Sequence, residues 1–362
     1  MGKGNGEGKM SKEYGLAALN LEMTDRVPRT EYSAAEHWEL VKAVTGIEID
    51  PVNATQDQKL DASRAFMEKW NYDMLWTVRI KAEQLGPWHT SMGHAVYAAA
   101  GTDFNDQISS PFEDEDDVLS FRPFEQLPPV DKKEAVKLFE ENIELSERRC
   151  PDALHMTGTY ISLMSGLIDM FGWDLLLTAA GCEPELFGEV TNSYARWIGQ
   201  YFEALAEADV PCVMVHDDIV WTEGAFLHPD WYRKYIFPNY KKMIAPVLES
   251  GKKVLYTSDG GYSEFIDDIA DCGFHGFVME PMTDMKYIAE KYGKTHVFVG
   301  NADTRILLTG SKEDIYNEVK RCMDIGKNCP GFFMAVGNHI PSNTPVENAL
   351  YYNEVYEKLS KR

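Results

Sequence analysis

The sequence predicts an α/β protein of the (β/α)8 TIM-barrel type with an N-terminal extension and insertions, and three observations carry that expectation. Eight short apolar runs, enriched in β-branched or aromatic residues, each end in a polar cluster, the pattern of parallel strands buried on both faces. Helical patterns of suitable length separate the later runs, as strand-helix alternation requires. No glycine-rich phosphate loop follows an early run, which counts against the competing open, doubly wound sheet.

In chain order the runs are VPRTEYS (27–33), DMLWTV (73–78), ALHMTG (153–158), CVMVHDD (212–218), VLYTSD (254–259), GFVMEP (276–281), VFVGNAD (297–303) and FFMAVGNH (332–339). The helical patterns SEFIDDIADCG (263–273) and DMKYIAEKYG (284–293) end in glycine, as helices often do, and KEDIYNEVKRCMDIGKN (312–328) follows. The long stretch between the second and third runs, with PFEDEDDV and KKEAVKLFEENIELSERR, reads as an insertion. Its acidic EDEDD (113–117) reads as a solvated loop, because consecutive carboxylates seldom converge on one ion. Residues 1–23 are expected to be flexible and 24–362 to form one barrel domain.

A chain of 362 residues that is 44% hydrophobic can bury a core of that size. Its 58 acidic against 35 basic residues give a formal charge of −23, which repels phosphate backbones and anionic membrane surfaces. Nucleic acid is not an expected partner. Nor is a membrane, since no apolar run approaches the ~20 residues needed to cross one. Six scattered cysteines without a CxxC pair or a secretory apolar region suggest a reduced, cytoplasmic protein, and no pattern around them suggests a nucleophile.

In a barrel of this kind the site is built at the C-terminal strand ends. Those ends carry Glu31 and Tyr32, Thr157, His216 with Asp217 and Asp218, Ser258 with Asp259, Glu280, Asn301 with Asp303, and Asn338 with His339. Carboxylates gathered at one mouth repel unless a cation or proton sits among them, and carboxylate with imidazole suits zinc. Alternation places His216 and Asp218 on one side of their strand and Asp217 on the other. His216, Asp218, Asp259 and Glu280 are the catalytic candidates. His89 and His94 are five apart, poor spacing for shared ligands, within a segment, GPWHTSMGHAVYAAAG, that could form an aromatic lid.

The blocks HDDIVWTEGAFLHPDWYRKYIFPNYKKM, LYTSDGG, VMEP, VGNADTRIL and GNHIPSNTPVENALYY, in that order, resemble the uroporphyrinogen decarboxylase superfamily from about Thr24 onward. The resemblance implies one of two chemistries: metal-free decarboxylation of a porphyrinogen, or zinc-dependent methyl transfer involving a corrinoid protein. The decarboxylases carry an RQAGR-type loop where this chain has TEYSAAEHWE, and an acidic site is a poor receptor for an octacarboxylate. Corrinoid:thiol methyltransferases bind zinc through a His-x-Cys pair and a further Cys. The corresponding positions here resemble Tyr256, Ser258 and Asn338, so no thiolate is available, and Tyr256, Asn301 and Asn338 are assigned to cofactor contact.

The remaining branch is the first methyltransferase of anaerobic O-demethylase systems, with a zinc motif Glu-x14-Glu-x20-His. Asp303, Glu318 and His339 reproduce its spacing, with Asp for the first Glu. Glu318 falls within a helical pattern, so a second ligand set keeps His339 and takes Glu280 or Asp259 from strand ends. The resemblance thus implies transfer of a methyl group from a phenyl methyl ether to the cob(I)alamin of a separate corrinoid protein, since no DxHxxG cobalamin segment occurs here. Trp76, Trp88, Trp221 and Tyr256 are candidates to sandwich the substrate ring. Another methyl donor, a decarboxylase and a non-catalytic binding barrel are the alternatives. Monomer or homodimer stays open.

Overall fold

The computed structural model describes residues 11–92, 96–98, 101–103 and 108–362. Its strands are β1 (Met74–Leu75), β2 (Leu154–His155), β3 (Thr157–Thr159), β4 (Cys212–His216), β5 (Lys253–Thr257), β6 (Gly276–Val278), β7 (Val297–Ala302) and β8 (Phe332–Val336), besides two short hairpins. All these pairings are parallel: β8-β7-β6-β5-β4-β3 form one sheet and β1 pairs with β2, which with β3 makes a single wall strand. Register is tight, with Met214 opposite Leu255 and Phe298 opposite Phe332.

Residues 27–32 close the ring. The Thr30 N–H donates to Met334 O (3.1 Å) and the Met334 N–H to Pro28 O (2.8 Å), while on the other edge the Asp73 N–H donates to Arg29 O (2.8 Å). Tyr32 and His339 are bridge partners at the top of this seam. Each of the eight apolar runs therefore stands in the wall.

Two separate cores follow from strand alternation. Leu154, Met156, Met214, Leu255, Val278, Val299, Phe333 and Ala335 fill the barrel interior, whereas Val213, Val215, Tyr256, Phe277 and Phe298 pack outward against the helices. Continuing the inward series beyond the last apolar layer brings His216 after Met214, Asp259 after Leu255 and Thr257, and Glu280 after Val278. Gly158 permits the close approach of β3 to β4, since a Cβ there would meet Met214 O at 1.8 Å.

The N-terminal expectation needs correction. Lys12–Leu19 is a helix whose Ser11 side chain accepts from the Tyr14 N–H, and Ala18 and Leu19 join the inner core. Its apolar face covers the base of the barrel, so Lys12–Leu19 is a packed helix rather than a flexible segment; residues 1–10 lie outside the described residues. The acidic EDEDD is also not all loop, because Asp114 caps the helix Glu115–Ser120. Among the described residues, no helix is long and apolar enough to cross a membrane. A cavity of about 1300 Å³ opens at the base, lined by Ser11, Arg26, Asn71, Asp152 and Arg362, at the end opposite the mouth.

Candidate active site

Beyond β4 the chain turns through His216, Asp217 and Asp218, and the three side chains part company. Asp217 points outward: its carboxylate accepts from the Leu163 N–H (3.0 Å), the Ser165 N–H (2.7 Å) and the Tyr240 hydroxyl, pinning the start of the helix Met164–Cys182. His216 lies flat on Tyr160, ring centroids 3.9 Å apart and planes 11° from parallel. Its Nε2 is 3.5 Å from Asp218 Oδ1, which also accepts the Asp259 N–H at 2.8 Å.

Donor atoms of His216, Asp218 and Asp259 all lie within 4.8 Å of one another, the one such group of three or more among the described residues. Asp259 borders the open mouth yet is hemmed in by protein, and its pKa is raised to about 7, first by desolvation, then by the Asp218 charge, with Glu280 adding to it and His216 opposing. Glu280 is anchored beside this group. One carboxylate oxygen accepts the Gly260 N–H at 2.8 Å and the other the Asn338 side-chain amide.

Across the mouth Tyr32 stacks on Trp76 at 5.0 Å, and His339 stands 6.2 Å from Tyr32. Burial lowers the His339 pKa, so the imidazole is neutral at pH 7. Burial, then the charges of Asp259 and Glu31, keep the Tyr32 phenol far above its usual pKa and hence protonated.

Several sequence expectations are not met by this geometry. Glu318 sits in the helix Lys312–Gly326, where it accepts the Asp303 N–H (2.9 Å) and binds Arg321 at 2.7 and 3.0 Å. Asp303 caps the helix Thr304–Thr309 and is held by Arg305 at 2.7 Å; burial pushes its pKa up, but those hydrogen bonds and the Arg305 charge bring it below the usual range. Asp303, Glu318 and His339 therefore do not form a donor group: Asp303 and Glu318 belong to a buttress behind β7, and His339 stands apart across the mouth. Nor do Asp259, Glu280 and His339 form one.

Tyr256 faces outward, fully buried beside Tyr240, Tyr262 and Phe274, its hydroxyl donating to Asp217 O (2.9 Å). Asn301 is spent on Glu280 O, Thr283 O and Arg321. Of the three positions assigned to cofactor contact, Asn338 alone reaches the mouth, and it serves Glu280. Among the ring candidates, Trp76 lines the mouth, Trp221 stands half exposed at its rim with Trp173 and Phe226, and Trp88 packs in a Phe112–Phe121 cluster. His94 lies outside the described residues.

The donor set suits zinc. One imidazole and two carboxylates leave a position open, and the 3.5 Å between His216 Nε2 and Asp218 Oδ1 is close to the separation of two donors each about 2.0–2.2 Å from a shared ion. Sequence reading missed two neighbours, Tyr160 and Asp169. Asp169 is buried in the helix Met164–Cys182 and its pKa is raised to about 6 by desolvation, then by Asp218. No sequence signal marks it, because SGLIDMF reads as ordinary buried helix.

A family model described as uroporphyrinogen decarboxylase (URO-D) matches residues 95–359. The chain belongs to that family. It is similar to the uroporphyrinogen decarboxylase of Carboxydothermus hydrogenoformans, 28% identical over 177 residues, 49% of each chain. With that of Thermus thermophilus it shares 26% identity over 257 residues, 70% of this chain and 72% of the other. The match thus spans about half the length of the first relative. A methyltransferase from Methanosarcina mazei superposes with a TM-score of 0.64 at 19% identity, covering 97% of this chain and 99% of that one, and so shares the fold.

Proposed function

We propose that this protein is a methyltransferase that takes the methyl group of a phenyl methyl ether and passes it to cob(I)alamin on a separate corrinoid protein, with zinc held by His216, Asp218 and Asp259. The observation that carries the reading is this donor group at the barrel mouth, two carboxylates and an imidazole opposite an aromatic wall.

When bound, zinc supplies Lewis acidity to an ether oxygen and makes aryloxide a better leaving group. The residues do the rest. Tyr32 and Trp76 offer a flat face for the ring, and the protonated Tyr32 hydroxyl donates toward the departing oxygen. Tyr160 fixes the plane of His216, and Asn338 with the Gly260 N–H holds Glu280 at the edge of the group. The breaking C–O bond leaves its electron pair on the aryl oxygen, which takes up one proton to become the phenol. The methyl group bonds to cobalt, whose two electrons form the new bond. The acceptor must approach from the open C-terminal face.

Purified protein should retain about one zinc and, with cob(I)alamin and a panel of methoxyarenes, form methylcobalamin and the matching phenol. His216→Ala and Asp218→Asn should lower that rate at least about 100-fold with circular dichroism unchanged. Full activity in His216→Ala, or wild-type protein that neither binds zinc nor demethylates any arene, sinks the reading. A second reading is the decarboxylation named for the curated relatives. Against it, Arg29 is fully buried under Trp70, Tyr352 and Tyr356 and bonded to Glu31, so it is closed to a substrate carboxylate. Carbon dioxide release from uroporphyrinogen would favour that reading instead.

A further inference from the structure

Asp169 is only 7% exposed, and its Oδ2 has no hydrogen-bond partner. A buried carboxylate oxygen left in that state is costly, and in native proteins such atoms mark a function or an ion. Its helix is clamped to the HDD turn: the Ser165 N–H donates to Asp217 Oδ1 at 2.7 Å, and Ser165 Oγ accepts the Asp218 N–H at 2.7 Å. Asp169 is four residues on, so it shares the helix face that Ser165 turns toward Asp218. The charges acting on it are Asp218 first, then His216, with His89 and Glu83 beyond. Its backbone carbonyl is fixed separately by the Thr90 N–H (2.9 Å) and hydroxyl (3.0 Å), which leaves Oδ2 without a hydrogen bond among the described residues.

We propose that Asp169 is part of the cation site, its unpartnered carboxylate oxygen the fourth acceptor for a divalent ion held by His216, Asp218 and Asp259. This rests on reading that trio as a cation site. Asp169 stands outside the trio's 4.8 Å spread, a buried carboxylate whose first charged neighbour is Asp218, opposed by His216. A divalent ion removes the conflict by giving both carboxylates the same partner. The site would then be oxygen-rich, three carboxylates to one imidazole.

Zn²⁺ and Co²⁺ affinities should be measured by calorimetry on wild type, Asp169→Asn, Asp169→Ala and Asp218→Asn, with urea unfolding of each chelator-treated protein. The expected result for Asp169→Asn is a loss of affinity of about tenfold or more, with a metal-free unfolding midpoint equal to or above wild type. A carboxylate with a merely structural role gives the opposite sign in the second measurement. Unchanged affinity in both Asp169 variants while Asp218→Asn loses the metal overturns the inference and leaves the trio intact. Loss of metal-free stability in Asp169→Asn also overturns it. Wild-type protein that binds neither ion overturns both this inference and the trio it rests on.

Discussion

Two sets of clustered carboxylates stand on the barrel strands, and they are solved differently. At the base, Asp73 takes two hydrogen bonds from Arg26 (2.6 and 2.7 Å) and one each from the Arg29 and Ser11 N–H groups, and further up the same seam Glu31 pairs with Arg29 (3.0 Å) and Tyr352 (2.6 Å). Both of these carboxylates have a cation built into the chain. At the mouth, Asp218 acts on both Asp259 and Asp169 and Glu280 acts on Asp259, with His216 as the first basic group opposing them. The fold gives Asp73 and Glu31 arginines, and gives Asp303 at the end of β7 Arg305, but among the described residues it sets only His216 against Asp218 and Asp259. That contrast is the physical basis for placing chemistry at the mouth and stability at the base.

The contrast fails if the base is not what holds the fold. Asp73→Asn strips Arg26 of its counter-charge in a site where Asp73 has no exposure. The expected cost is about 3–5 kcal/mol of unfolding free energy, read by urea denaturation, with zinc affinity per folded molecule unchanged. A cost below about 1 kcal/mol would show that the base is no better paired than an ordinary surface.

How far the sequence disclosed this division depends on the residue. All eight wall strands were legible because a parallel strand buried on both faces is apolar throughout, and its end shows as an abrupt change to His216, Asp259 or Glu280. The facing of Tyr256 was readable from alternation, since Lys253, Leu255, Thr257 and Asp259 share one side of β5 and its continuation, and it was the resemblance that drew the tyrosine, which went to the outer core, toward the mouth. Motif spacing grouped Asp303, Glu318 and His339, but one-dimensional spacing is blind to a helix that carries Glu318 behind the strand. Asp169 could not be seen at all, an acid flanked on both sides by apolar residues in a largely apolar helix. The N-terminal helix was obscured by the glycine- and lysine-rich residues ahead of it.

A pH titration sharpens the comparison with a sign. The folded-state pKa values of Asp259 (about 7) and Asp169 (about 6) are raised above the ordinary carboxylate value of 3.8. Between roughly pH 4 and 7 the folded, metal-free protein therefore binds more protons than the unfolded chain, and stability falls as pH rises through that window. Asp259→Asn and Asp169→Asn should each flatten the slope. Saturating zinc, which binds the deprotonated donors, should reverse it. A metal-free stability that rises across the same window would mean the mouth carboxylates are already compensated.

The smallest expected effect tests the motif set directly. Glu318 uses both carboxylate oxygens on the Asp303 N–H and on Arg321, which itself holds Asn301 Oδ1 at 3.0 Å. Glu318→Gln keeps one acceptor and turns the other into a donor facing a guanidinium, so about 1–3 kcal/mol of stability should be lost. Zinc affinity should stay within twofold of wild type, because the residue braces the turn after β7 rather than the mouth. A variant that folds normally yet loses its metal would move the ion to Asp303, Glu318 and His339, and with it the assignment of His216, Asp218 and Asp259.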